Sequence, residues 1–138
     1  MKTMNAVHRV ILRASGGRIG WAVSGMPVIE LTTTGRRSGE PRRTMLTSPL
    51  QEGSTLVVVA SRGGDDRHPA WYLNLREHPD VSVSVGGGPV RPMRAEIADA
   101  EQRERLWARL SAAHANYAGY QRRTNRVIPV VLLHPLDA

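Results

Sequence analysis

From residue 28 onward the pattern of apolar and polar positions reads as strands. Residues 28–34 are rich in β-branched side chains and stop at Gly35, and residues 43–50 resume the pattern after a short polar loop. Gln51-Glu52-Gly53-Ser54 has the composition of a hairpin turn. Residues 55–61 form a near-continuous apolar run, as expected of a strand covered on both faces. Val81, Val83 and Val85 alternate with Ser82 and Ser84, which predicts a half-exposed strand, and Gly86-Gly87-Gly88-Pro89 turns it back into residues 90–98. A last strand is predicted over 127–133, where Pro129 cannot donate to a ladder and favours an edge or a bulge.

Helical spacing is rarer. Met4, Val7, Val10, Ile11 and Ala14 fall near one face of a short basic amphipathic helix, which the glycine-rich stretch up to Gly25 breaks. Pro69 suits the first turn of a helix running to about His78, with His68 as its cap. Asp99 followed by Gln102 resembles a capping box ahead of the apolar face of Leu106, Trp107 and Leu110. Tyr117 and Tyr120 sit in what reads as a polar connection. Strands that arrive in hairpins, with helices at the start and late in the chain, predict an α+β fold: a mainly antiparallel β-barrel with flanking helices. We expect a single domain over 1–138, made of an N-terminal helix and glycine-rich segment (1–25) and the barrel (26–138).

Composition narrows the chemistry. At 138 residues the chain holds one ordinary domain with a core. With no cysteine it has no disulfides, thiolate catalysis or thiolate metal sites, which fits a cytoplasmic setting. The five histidines form no ligand spacing, so no metal is expected. No apolar run reaches membrane-spanning length. The N-terminal helix is expected to pack on its own domain, the sharper alternative being peripheral attachment to the inner face of the cell membrane aided by Trp21. The formal charge is +7 and Lys2 is the only lysine, so the positive charge is carried by arginines, whose planar forks suit phosphate and carboxylate. With no recognition motif and no row of stacking aromatics, nucleic acid is not an expected partner.

Two loops concentrate anion-binding chemistry. Gly35-Arg36-Arg37-Ser38-Gly39-Glu40-Pro41-Arg42 brackets three arginines and a serine between turn glycines, and Ser61-Arg62-Gly63-Gly64 repeats the donor logic at another strand end. Just after it, His68-Pro69-Ala70-Trp71-Tyr72-Leu73-Asn74-Leu75 places Trp71 and Asn74 on one helix face, an indole and an amide suited to a flat ring or to core packing.

In this order and spacing, together with Leu31-Thr32-Thr33-Thr34, Val58-Val59-Ala60 and Arg126-Val127-Ile128-Pro129-Val130-Val131, the segments resemble the deazaflavin-dependent nitroreductase family, whose members use reduced coenzyme F420. The likeness covers residues 28–133. It implies a split β-barrel of the FMN-binding type and a reductase passing hydride from F420H2 to a quinone, a nitroaromatic or an activated double bond. It also implies that Arg36, Arg37, Ser38 and Arg42 receive the cofactor's phosphate and acidic tail, and that Thr44, Met45 and Leu46 lie along the ring. Ala60, Ser61, Arg62, Gly63 and Gly64 would contact the ring and ribityl-phosphate region, with Ala70, Trp71 and Asn74 closing the site. Tyr117 and Tyr120 fall where the family places aromatic substrate-side residues. His114 and Thr47 stand where nitroimidazole-activating members tend to carry tyrosines.

The candidate proton donors are Tyr117, Tyr120, His114 and Ser61. An imidazole titrates nearest neutrality, whereas a tyrosine would need a large downward shift to serve as a base. Alternatives on the same fold are an FMN-dependent oxidoreductase and a non-enzymatic F420 carrier. Related barrels often form homodimers.

Overall fold

The computed structural model describes Ala22–Val23 and residues 26–136; the N-terminal amphipathic segment and Trp21 lie outside the described residues. Among the described residues eight strands, β1 (Ala22–Val23), β2 (Met26–Thr34), β3 (Pro41–Thr47), β4 (Leu50–Glu52), β5 (Thr55–Val59), β6 (Asp80–Val85), β7 (Val90–Ile97) and β8 (Val130–Pro135), are joined by α1 (Ala70–Glu77), α2 (Ala100–Ala113) and α3 (Asn116–Arg122). The strand order is β1-β2-β6-β7-β8-β5-β4, with β3 also paired to β2. Every ladder is antiparallel.

Predicted strand 43–50 is in fact two strands. β3 ends at Thr47 and β4 begins at Leu50, at the far end of the sheet order. Pro49 has no N–H to carry a ladder through, and Ser48 is fully buried at the break. Its N–H donates to Pro27 O (2.9 Å) and its hydroxyl lies 2.8 Å from Val57 O, so one serine ties the start of β2 to β5. The sheet curls around this junction into the split barrel.

Alternation then divides the core. Ile29, Leu31, Leu56, Val58, Val81, Val83, Val131 and Leu133 fill the barrel, which Trp71, Tyr72 and Leu75 of α1 close. Val57, Val130 and Leu132 point the other way, onto Leu106 and Leu110 of α2. The apolar run of β5 is therefore covered on both faces. Complete burial of a leucine is worth about 2–3 kcal/mol, so α2 docks firmly. The Asp99 carboxylate caps that helix by accepting the Gln102 N–H (2.8 Å).

Three further expectations change. Residue 69, not His68, is the N-cap of α1, and no side chain caps it. The tyrosine segment is a helix, α3, whose seven residues with one buried side chain, Tyr117, are too short for periodicity to register. Pro129 stands just outside β8, which runs centrally between β7 and β5. Its carbonyl accepts the Ala60 N–H (3.0 Å), so its missing donor costs the ladder nothing.

Candidate functional site

The first arginine loop folds back at the mouth of the barrel. Gly35 N–H donates to Glu40 O and Gly39 N–H to Gly35 O, both at 2.8 Å. A Cβ on Gly35 would lie 2.6 Å from Ser38 Oγ and 3.2 Å from Glu40 O, so a side chain here would push the Ser38 hydroxyl aside. Ser38 Oγ accepts the Glu40 N–H (3.1 Å) and faces Arg42 Nη2 at 3.4 Å. Asn74, buried in α1, fixes the loop from beneath: its Oδ1 accepts both Arg36 N–H (3.1 Å) and Arg36 Nη1 (3.0 Å), and its Nδ2 donates to the buried Thr33 hydroxyl (3.1 Å). The Asn74 amide is thus committed to holding Arg36 in place.

Between this loop, the start of β3 and α1 lies a cleft of about 310 Å³, lined by Thr33, Gly35, Arg36, Arg37, Ser38, Arg42, Arg43, Thr44, Pro69, Ala70, Trp71 and Asn74. No lining residue is acidic and four are arginines. Of the residues expected to hold a cofactor, Arg36, Arg37, Ser38, Arg42, Thr44, Ala70, Trp71 and Asn74 meet here. Thr33, Arg43 and Pro69 were not anticipated. Thr33 pairs with Arg42 across the β2–β3 ladder, a register invisible before the hairpin is built.

Other expected residues lie elsewhere. Leu46 packs against the barrel core and Ala60 is fully buried within it. Met45 pairs with Glu30, on the opposite face of β3 from Thr44. Ser61, Arg62, Gly63 and Gly64 form a 3₁₀ turn that backs onto α3. Gly64 (φ +83°) passes so close that a Cβ would sit 2.7 Å from Tyr120 O. The Arg126 guanidinium grips this turn through Ala60 O (3.1 Å), Ser61 O (2.8 Å) and Asp65 O (2.7 Å), and reaches His68 Nδ1 (3.1 Å). Because a guanidinium only donates, His68 Nδ1 accepts and the ring proton sits on Nε2. Burial, then the charges of Arg126 and Arg76, pushes the His68 pKa down, which keeps the ring neutral.

Three of the four candidate proton donors, Tyr117, Tyr120 and His114, share an aromatic cluster, whereas Ser61 stands apart at the start of the 3₁₀ turn. Tyr117 meets His114 (6.1 Å between ring centroids), Tyr120 (6.0 Å) and Trp107 (6.5 Å), each near edge-on. Its hydroxyl lies 3.8 Å from Met26 Sδ. Burial raises the Tyr117 pKa against a smaller opposing hydrogen bond from Thr47. Tyr117 therefore keeps its proton at neutral pH. Thr47 and His114, far apart in the sequence, both bear on this one phenol.

The arginine-lined cleft with the Trp71 indole gathers eight of the residues that the resemblance implies for the cofactor, and comparison with known proteins decides the family. The profile of the F420H(2)-dependent quinone reductase family matches residues 4–135. The chain belongs to that family. It is 41% identical over 136 residues to an F420H(2)-dependent quinone reductase of Mycobacterium tuberculosis, covering 92% of this chain and 87% of the relative. Among solved structures it resembles an F420-H2 dependent reductase (TM-score 0.68, 39% identity, 78% of this chain and 94% of that one). It also resembles a chain described as a domain-swapped dimer (TM-score 0.71, 34% identity, 97% of this chain and 100% of that one). The split barrel and the F420-dependent oxidoreductase expectation stand, with the nitroreductase label narrowed to the quinone reductase family.

Proposed function

We propose that this chain reduces a quinone with F420H2, and that the cleft between the Arg36 loop and α1 holds the cofactor. The observation that carries this reading is the lining itself: four guanidiniums, the Ser38 hydroxyl and the Trp71 indole around about 310 Å³, with no carboxylate among them. That donor set fits a group combining a phosphate, an acidic tail and a flat ring. When bound, F420H2 supplies the hydride.

The protein's part is to bind, orient and protonate. Arg36, Arg37, Arg42 and Arg43 neutralise the anionic portion, and Asn74 fixes where Arg36 stands. Thr44, Ala70 and Trp71 wall the cleft and exclude water beside the barrel core. Ser61, Arg62, Gly63 and Gly64 face the ring side in this reading, and Met45 and Leu46 support the wall from β3. Ala60 shapes it from within the core. A quinone becoming a quinol needs a proton with the hydride. In this reading Tyr117, which keeps its proton, donates a hydrogen bond to the quinone oxygen, and the proton comes from Tyr120, His114 or Ser61, directly or through water.

The test mixes purified protein with F420H2 and menadione and follows the return of oxidised-cofactor absorbance. Turnover supports the reading. Binding without turnover on quinones, nitroaromatics and activated double bonds would identify a carrier instead, and a yellow protein that releases FMN would identify a flavin enzyme. A homodimer belongs to the same reading, supported by likeness to the domain-swapped dimer, and light scattering on the same preparation would show twice the monomer mass. No helix among the described residues is long and apolar enough to cross a membrane. Peripheral attachment would rest on residues before Ala22, outside those described.

A further inference from the structure

Arg126 lies between α3 and β8 and does not line the cleft. Four acceptors from three stretches of chain converge on its guanidinium: the carbonyls of Ala60 and Ser61 after β5, the Asp65 carbonyl, and His68 Nδ1 just before α1. These partners are 58 to 66 residues away in sequence. Between them runs a turn in which Arg62 (φ +47°), Gly63 (φ +66°) and Gly64 (φ +83°) are all left-handed. The two glycines adopt this conformation freely, but in Arg62, a non-glycine residue, it persists where the surroundings over-determine it.

The turn has a neighbour on each side. Gly64 packs against the backbone of α3 at Tyr120, and Arg123 Nη1 approaches Gly63 O at 3.4 Å. His68 leads directly into Pro69 and Ala70, which line the cleft. Beyond Arg126, the chain is anchored to α2 and α3. Gln121 Nε2 donates to Arg126 O (2.7 Å), and its Oε1 accepts Ile128 N–H (3.0 Å) and Arg103 Nη2 (3.0 Å). The Thr124 hydroxyl donates to Asp66 Oδ1 (2.7 Å), a second tie to the same turn.

We propose that Arg126 is a positioning residue that sets the Ser61–Gly64 turn and the lead-in to α1 against each other. It would thereby align the cofactor cleft with the aromatic cluster on α3, without touching either ligand itself. This rests on the F420H2-dependent reading of the cleft. A lysine at this position keeps the charge but cannot fork across carbonyls that lie on different stretches of chain.

The test compares wild type, Arg126→Lys and Arg126→Ala in three measurements. In the cofactor-free protein, amide hydrogen exchange over residues 61–68 is expected to quicken more than tenfold in both variants, while β2 and β8 keep their protection. F420 binding, followed by fluorescence, is expected to keep a stoichiometry of one per chain and a Kd within about fivefold of wild type, because the four cleft arginines are untouched. With menadione, kcat is expected to fall at least twentyfold. Added ethylguanidinium should restore part of that rate in Arg126→Ala and none in wild type.

Wild-type kcat in Arg126→Lys would overturn the proposal. So would a loss of kcat that merely tracks a loss of binding stoichiometry, which would make Arg126 a general fold support. If wild type itself neither binds F420 nor oxidises F420H2, the functional reading fails and takes the alignment role with it. That outcome is read in the wild-type arm alone.

Discussion

Asn74 offers a substitution in which stability and cofactor affinity should move separately. Asn74→Asp keeps the side-chain shape. The retained oxygen can still accept both bonds from Arg36, now charge-assisted, and the Thr33 hydroxyl can turn to donate to the other oxygen. Charge-assisted bonds to Arg36 oppose the cost of placing a carboxylate at a site 4% exposed, so the melting temperature is expected to stay within a few degrees of wild type.

The cleft, however, gains a negative charge beside one of its four guanidiniums. Two unit charges about 6 Å apart at an effective dielectric constant of about 20 repel by about 3 kcal/mol. Salt and exposure of the loop reduce this to about 1–2 kcal/mol, or about tenfold in Kd. Asn74→Ala should behave differently. It strips partners from the Arg36 N–H and the buried Thr33 hydroxyl, at a cost of about 1–3 kcal/mol each before relaxation and rehydration, and should lower the melting temperature clearly. Fluorescence titration with F420 and thermal unfolding of the three proteins would show both effects. An Asp variant that binds F420 as tightly as wild type would refute the idea that the Arg36 charge faces the cofactor.

Two other predictions follow from the turn and its neighbour. Gly64→Ala is expected to cost about 2 kcal/mol or more, because it combines a left-handed φ with a Cβ 2.7 Å from Tyr120 O, and to raise the KM for quinone as α3 shifts. Gly63→Ala, with φ +66° but nothing within 4 Å, should cost only the conformational part, and equal unfolding midpoints for the two would contradict the packing account. Burial lowers the folded-state pKa of His68, so the folded protein binds fewer protons there than the unfolded chain. Its contribution to stability is then present above the ordinary histidine value and lost as pH falls below about 6.5. Urea unfolding between about pH 5.5 and 7.5 should show a shallower dependence in His68→Asn, whose amide oxygen can take the place of Nδ1 opposite Arg126. Parallel profiles for the two proteins would count against a neutral His68.

Much of this protein is written locally. Alternation at Val81, Val83 and Val85, the two-sided apolar run of β5 and the Asp99 cap are short-range patterns, and each became the element it predicts. The Arg36 loop was legible because turn glycines and clustered guanidiniums are adjacent in sequence, and Trp71 and Asn74 because helical spacing puts them on one face. The family resemblance carried the cofactor. What the sequence could not show depends on partners far away along the chain. The break at Ser48 follows from hydrogen bonds to β2 and β5, and the brief helix α3 from packing Tyr117 against Trp107 of α2 and the Tyr120 backbone against Gly64. The commitment of Asn74 to Arg36 and Thr33 spans 38 and 41 residues, and the four contacts of Arg126 span more. A local pattern states which face a residue occupies. Only the closed barrel decides which polar groups meet there, because buried donors and acceptors must be satisfied by whatever the fold brings within reach.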